Sequence, residues 1–384
     1  MRIDVDARPA AFPQKTGIGN YTLQLLRWLP RVAPDDRFTA WYLDARGTAT
    51  RARPFADARA PNFAVRRTRA PSRWFERVSE RFDLPRLEWL VPCDVAFAPN
   101  FLAPPTRKPQ VVTVHDLAFR RFPETAPHAT RRWLERLDRA LRTVDAIIAV
   151  SECTRRDLTE LYEVPQDRIE IIPHGVDLDV FNPAAPDAVR DTMARFGIGG
   201  AYLLYLGGIE PRKNLPRLLD AFRALPRDLQ PQLVIAGAGV AWNPEGLAHL
   251  RPALDALPAE ARRRVVLPGY VSEPDKVALL SGAEGLVYPS LYEGFGMPVL
   301  EAMACGTPVV TSNVSALPEV AGDAAVLVDP HDTGSIAVGI ESILRDEALR
   351  SRLSEAGRAR AAGFRWEETA RRTMDVIRRA GARE

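Results

Sequence analysis

The chain has 384 residues, 46% hydrophobic and 26% charged, which is longer than one core usually supports, so two globular domains are expected. A formal net charge of +3 lacks the concentrated basicity that many phosphate contacts to nucleic acid would need. Three scattered cysteines, Cys93, Cys153 and Cys305, exclude a disulfide framework or zinc knuckle and suit a reducing cytosol, and no apolar run reaches the ~20 residues of a membrane span.

The opening "MRIDVDA" runs into a mixed segment without a signal-peptide core, so the expected location is the cytoplasm, at most peripheral at the inner face of the membrane. Short β-branched runs, "RIDVDA", "VVTVHD", "AIIAVS" and "IEIIP", alternate with helical segments such as "GNYTLQLLRWLP" and "TRRWLERLDRALR". That alternation predicts a parallel α/β sheet. Within residues 69–90, Trp74, Val78 and Phe82 recur at every fourth position, beside Arg73, Arg77 and Arg81 at the same spacing. Two readings of this amphipathic segment stand side by side: a core-facing helix with a solvated arginine row, or shallow docking on an anionic bilayer.

A polar, proline-containing stretch near Asn182 to Asp187 predicts a linker and closes a first domain at 1–184. The alternation then restarts with "AYLLYLGG", a helix from about Leu215 to Leu225, "QLVIAGAG", "VVLPGYV", "GLVYPS", "TPVVTS" and "AAVLVDP", a second doubly wound domain over 185–364. The last segment, 365–384 with "WEETARRTMDVIRRA", predicts a helix able to pack back on the first domain.

Ligands of open parallel sheets bind at the carboxyl ends of strands, where glycine turns offer amides to anions. "KTGIGNYT" and "AGAGVAW" are incomplete as dinucleotide fingerprints and on their own read as turn geometry. "YLGGIEPRKNL" is sharper: a strand, two glycines, then Arg212 and Lys213 before a helix, without the glycine and hydroxyl of a P-loop. Adjacent cations there oppose the helix dipole unless an anion is present, which suits a diphosphate over a merely solvated helix start. In "YEGFGMPVLEAMACGTP", Glu293 lies in a loop, while Pro298 is expected to open a helix with Glu301 in its first turn. Gly294 and Gly296 leave the loop backbone open to a ligand. Glu301 alone would read as a residue complementing the helix dipole, but paired acceptors with nearby amides suit a polyol. Together with the diphosphate turn they point to a nucleotide sugar.

"EGFGMPVLE" resembles the E-x7-E motif of retaining GT-B glycosyltransferases of family 4, and "GGIEPRKN" resembles their diphosphate-binding turn. The likeness extends over "TGIGNYT", "VTVHDL", "IPHGVD" and "MACGTPVVTSNVSALPEVAGDAA", and is closest in look to bacterial mannosyltransferases of O-antigen and polysaccharide synthesis. The resemblance implies two Rossmann-like domains facing a deep interdomain cleft. Arg212 and Lys213 would neutralise the departing diphosphate. Glu293 would hold sugar hydroxyls, aided by the amides of Phe295, Gly296 and Met297. Glu301 would accept from the ribose, with backbone near Tyr270 and Val271 at the base. Gly17 and Gly19 would approach the diphosphate, and His115, after the strand "VVTV", would stand beside the sugar's reacting face. His174 is expected to shape the interdomain turn. Many relatives carry an arginine where this chain has Gly208.

Two D-x-D triplets, Asp4-Val5-Asp6 and Asp177-Leu178-Asp179, raise the question of a metal. One is expected within a strand and the other lies far in sequence from the Arg-Lys turn, so no metal or other cofactor is expected. The expected partners are a nucleotide sugar, GDP-mannose or a UDP-hexose, and a glycan or lipid-linked acceptor, with no nucleic acid. A sugar-nucleotide epimerase of the same fold and a non-catalytic nucleotide-sugar binder are the rival readings.

Overall fold

A computed structural model describes residues 1–11, 16–45, 47, 55, 60–101, 104–123, 130–237 and 244–382, with the side chains at 73, 80, 130–133, 136 and 244–246 left aside. Among the described residues thirteen strands form two parallel sheets, one in each of two compact units, Met1–Gly175 with Arg365–Glu384, and Val176–Phe364.

The first unit holds β1 (Arg2–Asp6), β2 (Arg37–Leu43), β3 (Phe63–Thr68), β4 (Val95–Ala98), β5 (Gln110–Val114), β6 (Ala146–Ala149) and β7 (Ile169–Ile171), ordered β3-β2-β1-β4-β5-β6-β7. All pairings are parallel, with Ile3 opposite both Phe38 and Val95. Central strands such as "VVTV" are buried on both faces, which is why they read as continuous apolar runs. Strands β2, β3 and β4 add to the four expected from sequence. Counting helices of eight residues or more, this part of the unit carries α1 (Gly17–Val32), α2 (Ser72–Phe82), α3 (Thr130–Thr143) and α4 (Glu152–Tyr162). Ser151 caps α4 by accepting from the Thr154 amide at 3.0 Å.

The second unit holds β8 (Tyr202–Leu206), β9 (Gln232–Ala236), β10 (Val265–Gly269), β11 (Gly285–Tyr288), β12 (Val309–Ser312) and β13 (Val326–Val328), ordered β10-β9-β8-β11-β12-β13. Its helices are α5 (Pro186–Phe196), α6 (Leu215–Arg223), α7 (Pro244–Asp255), α8 (Glu273–Gly282), α9 (Met297–Ala304), α10 (Thr333–Arg345) and α11 (Glu347–Ala361). The polar stretch from Asn182 to Asp187 lies inside this unit, with Pro186 at the start of α5. Strand order reverses beside β1 in one sheet and beside β8 in the other, and the crevice outside the carboxyl ends at such a point is where α/β sheets bind ligands.

The last helix, α12 (Trp366–Gly381), belongs to the first unit, packing on α1 and on β4, β5 and β6. Thr369 Oγ1 donates to Pro173 O at 2.9 Å and Arg372 to Ile171 O at 2.6 Å. A Cβ on Gly175 would fall 2.3 Å from the Trp366 nitrogen, so only glycine fits where the chain leaves this unit.

Candidate active site

The carboxyl ends of β8 and β11 carry the two segments singled out in the sequence. After β8 the chain passes Gly207 and Gly208 into a 3-10 turn, Pro211–Lys213, and then Asn214, whose φ of 61° breaks the path before α6. Asparagine tolerates that left-handed conformation, and its side-chain amide donates to Pro289 O at 3.0 Å and to Pro330 O at 2.7 Å. The turn is locked to the loop after β11 through the Leu291 amide on Arg212 O at 2.8 Å.

These locks bring Arg212, Lys213 and Glu293 together. Lys213 Nζ lies 2.5 Å from Glu293 Oε1 and Arg212 Nη1 lies 3.0 Å from Oε2, with Lys213 and Glu293 only 7% and 6% exposed. The anion facing the two cations in the folded chain is therefore Glu293. Burial pushes the Glu293 carboxyl up, but the Lys213 ammonium and Arg212 guanidinium outweigh it and bring it down to about 2. Burial also holds Lys213 below its ordinary value, against the pull of Glu293.

Two partners that the sequence reading lacks complete the arrangement. Tyr288 Oη accepts from Lys213 Nζ at 2.8 Å, and the Tyr288 ring stacks on Tyr205 at 5.7 Å between centroids. Two of the three ammonium protons are thus used, which leaves donor capacity for a ligand oxygen among the described residues. Glu210 Oε2 accepts from Arg212 Nε at 2.9 Å, so this guanidinium spans two carboxylates. A Cβ on Gly208 would meet only Glu210 Oε1, at 3.2 Å, so the position given to arginine in many relatives has room for a side chain here.

Helix α9 begins at Met297, with Gly296 as its N-cap at φ 108° and Pro298 in second place. Glu301 is consequently the fifth helical residue, past the first turn, which corrects the expectation from Pro298. It complements no dipole there. Its partner is Lys276 of α8, Nζ to Oε1 2.7 Å, and the same ammonium sits 4.5 Å from the Phe181 ring centroid. No sequence signal links Lys276 to Glu301, 25 residues on. Gly294 and Phe295 lie in the same loop, and the Phe295 ring is buried against Phe364 at 6.0 Å between centroids. At the end of β10, Tyr270 is 55% exposed while Val271 is buried. Of "AGAGVAW", only Gly237 lies within the described residues after β9; its φ is 144° and a Cβ would fall 2.0 Å from Gly207 O.

In the first unit, Gly17 and Gly19 are the first and third residues of α1, capped by Thr16, which accepts from the Gly19 amide at 3.2 Å. A Cβ on Gly19 would lie 2.9 Å from Pro9 O, whereas one on Gly17 would meet nothing within 4 Å. Gly19 has a packing reason to be glycine, and Gly17 leaves its backbone open.

His115, at the end of β5, is buried rather than facing an open surface. Nε2 donates to Pro99 O at 2.8 Å, which makes Nδ1 the acceptor for His174 Nε2 at 3.4 Å. Burial lowers the His115 ring to about 4 and, with His115 adding to it, holds His174 well below its ordinary value. A neutral ring with both nitrogens engaged suits a fixed wall better than a proton carrier. The His174 ring in turn lies against Tyr21 and Trp366, at 4.6 and 6.0 Å between centroids.

Among the described residues no group of three His, Cys, Asp or Glu side chains is placed to hold a metal ion. Asp4 is buried in β1 without a hydrogen-bond partner, and Asp6 is clamped by Arg8 at 2.6 Å. Asp177 Oδ1 accepts from the Asp179 amide at 3.2 Å, fixing a turn.

Residues 194–360 match the family described as glycosyl transferases group 1, and residues 16–180 match glycosyltransferase family 4. The chain is 34% identical over 283 residues to the O-antigen chain mannosyltransferase B of Escherichia coli, covering 73% of each protein. It is 32% identical over 237 residues to the serotype-specific mannosyltransferase WbdA of Escherichia coli, a match over 61% of this chain and 29% of that longer protein. Among solved structures, Anabaena Alr3699/HepE in complex with UDP and glucose superposes with a TM-score of 0.76 at 16% identity, over 99% of this chain and 100% of that one.

Proposed function

Because the chain belongs to the family 4 glycosyltransferases of GT-B fold, we propose that it moves mannose from GDP-mannose to a glycan or lipid-linked acceptor in bacterial surface polysaccharide synthesis. The observation that carries the reading is the buried Arg212–Glu293–Lys213 group at the switch point of the second sheet. The choice of mannose is supported by the two mannosyltransferases of Escherichia coli that the chain resembles. A UDP-hexose is the competing donor, favoured by the likeness to HepE, which is described with UDP and glucose. Membership in a transferase family leaves the epimerase reading without support.

Breaking the bond from sugar C1 to the phosphate oxygen places positive charge on the sugar and negative charge on the departing diphosphate. Two cations held in a water-poor pocket stabilise that charge far more than they would in solution. Arg212 and Lys213 take this part, and the turn fixes both before the donor arrives. In the donor-bound state the cations exchange part of their contact with Glu293 for diphosphate oxygens. The freed carboxylate, still ionised, then accepts from the sugar hydroxyls, with the amides of Gly294, Phe295, Gly296 and Met297 donating to others. Glu301, steadied by Lys276, accepts from the ribose, and the Tyr270–Val271 segment meets the base. Retention follows from attack on the same face: the acceptor oxygen bonds to C1 as the phosphate leaves, and its proton passes to a phosphate oxygen. His115 acts as a positioning wall. With Asp6 held by Arg8, Asp177 by the Asp179 amide, and the diphosphate charge met by Arg212 and Lys213, the reading is metal-independent.

Calorimetric titration with GDP-mannose, UDP-glucose, UDP-N-acetylglucosamine and their nucleoside diphosphates tests the donor. Selective binding of GDP-mannose and GDP is the expected outcome. Tighter binding of the uridine compounds would transfer the proposal to the UDP donor, and transfer abolished by EDTA and restored by manganese would overturn metal independence.

A further inference from the structure

Helix α2 already has its buried side. Phe75 packs its ring on Trp41 at 5.4 Å between centroids, within a core cluster that includes Leu43, Leu87 and Val91, and Ser79 is buried one turn on. The aromatic stripe read from the sequence is a different face. Trp74 and Phe82 are 56% and 65% exposed, Val78 between them is half-buried, and Arg77 and Arg81 are exposed beside them. Trp89, in the short turn that follows, is 62% exposed. Strand β3, at the edge of the sheet, adds exposed Val65 and Arg66, and a cavity of about 480 Å³ opens between these residues and Val91 and Pro92.

We propose that this face, residues 65–89, docks the protein on an anionic lipid surface. A core-facing explanation for Trp74 and Phe82 is removed by their exposure, and each ring offers ~150–250 Å² of apolar surface. Charge selects the partner: residues 65–89 contain seven arginines against four acidic residues. Among the described residues no ion pair engages Arg66, Arg77 or Arg81. A second copy of the chain joined through the same patch would set like charges against each other, whereas an anionic leaflet complements them. Aromatic rings that enter the headgroup boundary, flanked by guanidinium groups that stay at phosphate level, are the arrangement an interfacial helix uses. The docking is independent of which donor the second unit takes, and it places the first unit where a lipid-linked acceptor would reside.

Cosedimentation of the full chain with phosphatidylglycerol-containing vesicles, against pure phosphatidylcholine, tests it. Binding to the anionic vesicles at low salt that weakens as salt is added is expected. Trp74→Ser with Phe82→Ser, and separately Arg77→Glu with Arg81→Glu, should each lower partitioning by about tenfold or more. These side chains face solvent, so thermal unfolding and calorimetric binding of GDP should stay unchanged. No sedimentation with anionic vesicles at low salt, or binding that both variants retain, overturns the proposal. So would self-association of the chain that the same substitutions abolish.

Discussion

At the residue scale, Glu293 is almost wholly buried and has two cations pressed on it. Its folded-state value of about 2 lies below the ordinary 4.5, so its contribution to stability is fully present above 4.5 and is lost as pH falls from there through about 2. Glu293→Gln removes that pH dependence and leaves buried Lys213 without a carboxylate partner and Arg212 with Glu210 alone, at a cost of about 3–5 kcal/mol. A diphosphate would supply the missing anion, so saturating GDP should raise the melting temperature of Glu293→Gln more than that of the parent protein. Thermal melts with and without GDP decide this, and a smaller shift in the variant would sink the assignment of the two cations to the diphosphate. The residue types of this site were legible in sequence, but their pairing was not. The two partners of Glu293 are 80 and 81 positions away, and only the locked turn and loop bring them within 3.0 Å. Lys276 and Tyr288 escaped for the same reason.

At the scale of elements, the start of α1 separates two glycines that look alike in "TGIGNYT". Gly19→Ala would force a Cβ to 2.9 Å from a carbonyl oxygen that cannot swing aside, and should cost about 1–3 kcal/mol in chemical denaturation. Gly17→Ala has open space and should keep or raise stability by about 0.5–1 kcal/mol, since alanine costs less backbone entropy. If Gly17 meets the donor diphosphate, the same change weakens GDP in calorimetry; an unchanged affinity would remove Gly17 from the site. All six strands of the second unit were legible, being apolar runs that end in glycine, proline or serine. Three strands of the first were not. "FAVRRT" is an edge strand with Ala64, Val65 and Arg66 exposed in a row, "VAFA" is four residues long, and "RFTAWYL" carries no clean alternation. Pro298 marked α9 correctly but set Glu301 one residue too early, because Met297, not proline, is the first helical residue.

At the scale of the whole molecule, α12 returns the end of the chain to the unit that contains its beginning. It inserts buried Met374, Val376 and Ile377 against α1 and the middle of the first sheet, and Arg378 pairs with Asp36 at 2.9 Å. Ile377→Ala should cost the first unit about 2–5 kcal/mol, although it lies outside the contiguous stretch that forms that unit's sheet. Fluorescence of Trp41 during denaturation would follow this loss; an unchanged midpoint would mean that α12 contributes little to the fold.

The order of apolar runs and turns was enough, by itself, to determine two parallel α/β sheets, because strand burial on both faces is written into consecutive residues. The types of group near a nucleotide sugar were also readable, since glycines, cations and carboxylates keep their local spacing. Which carboxylate meets which cation, which ring of α2 is buried, and which unit owns the last helix were decided only by tertiary structure. Those contacts join residues tens to hundreds of positions apart, and no local period carries information about such distances.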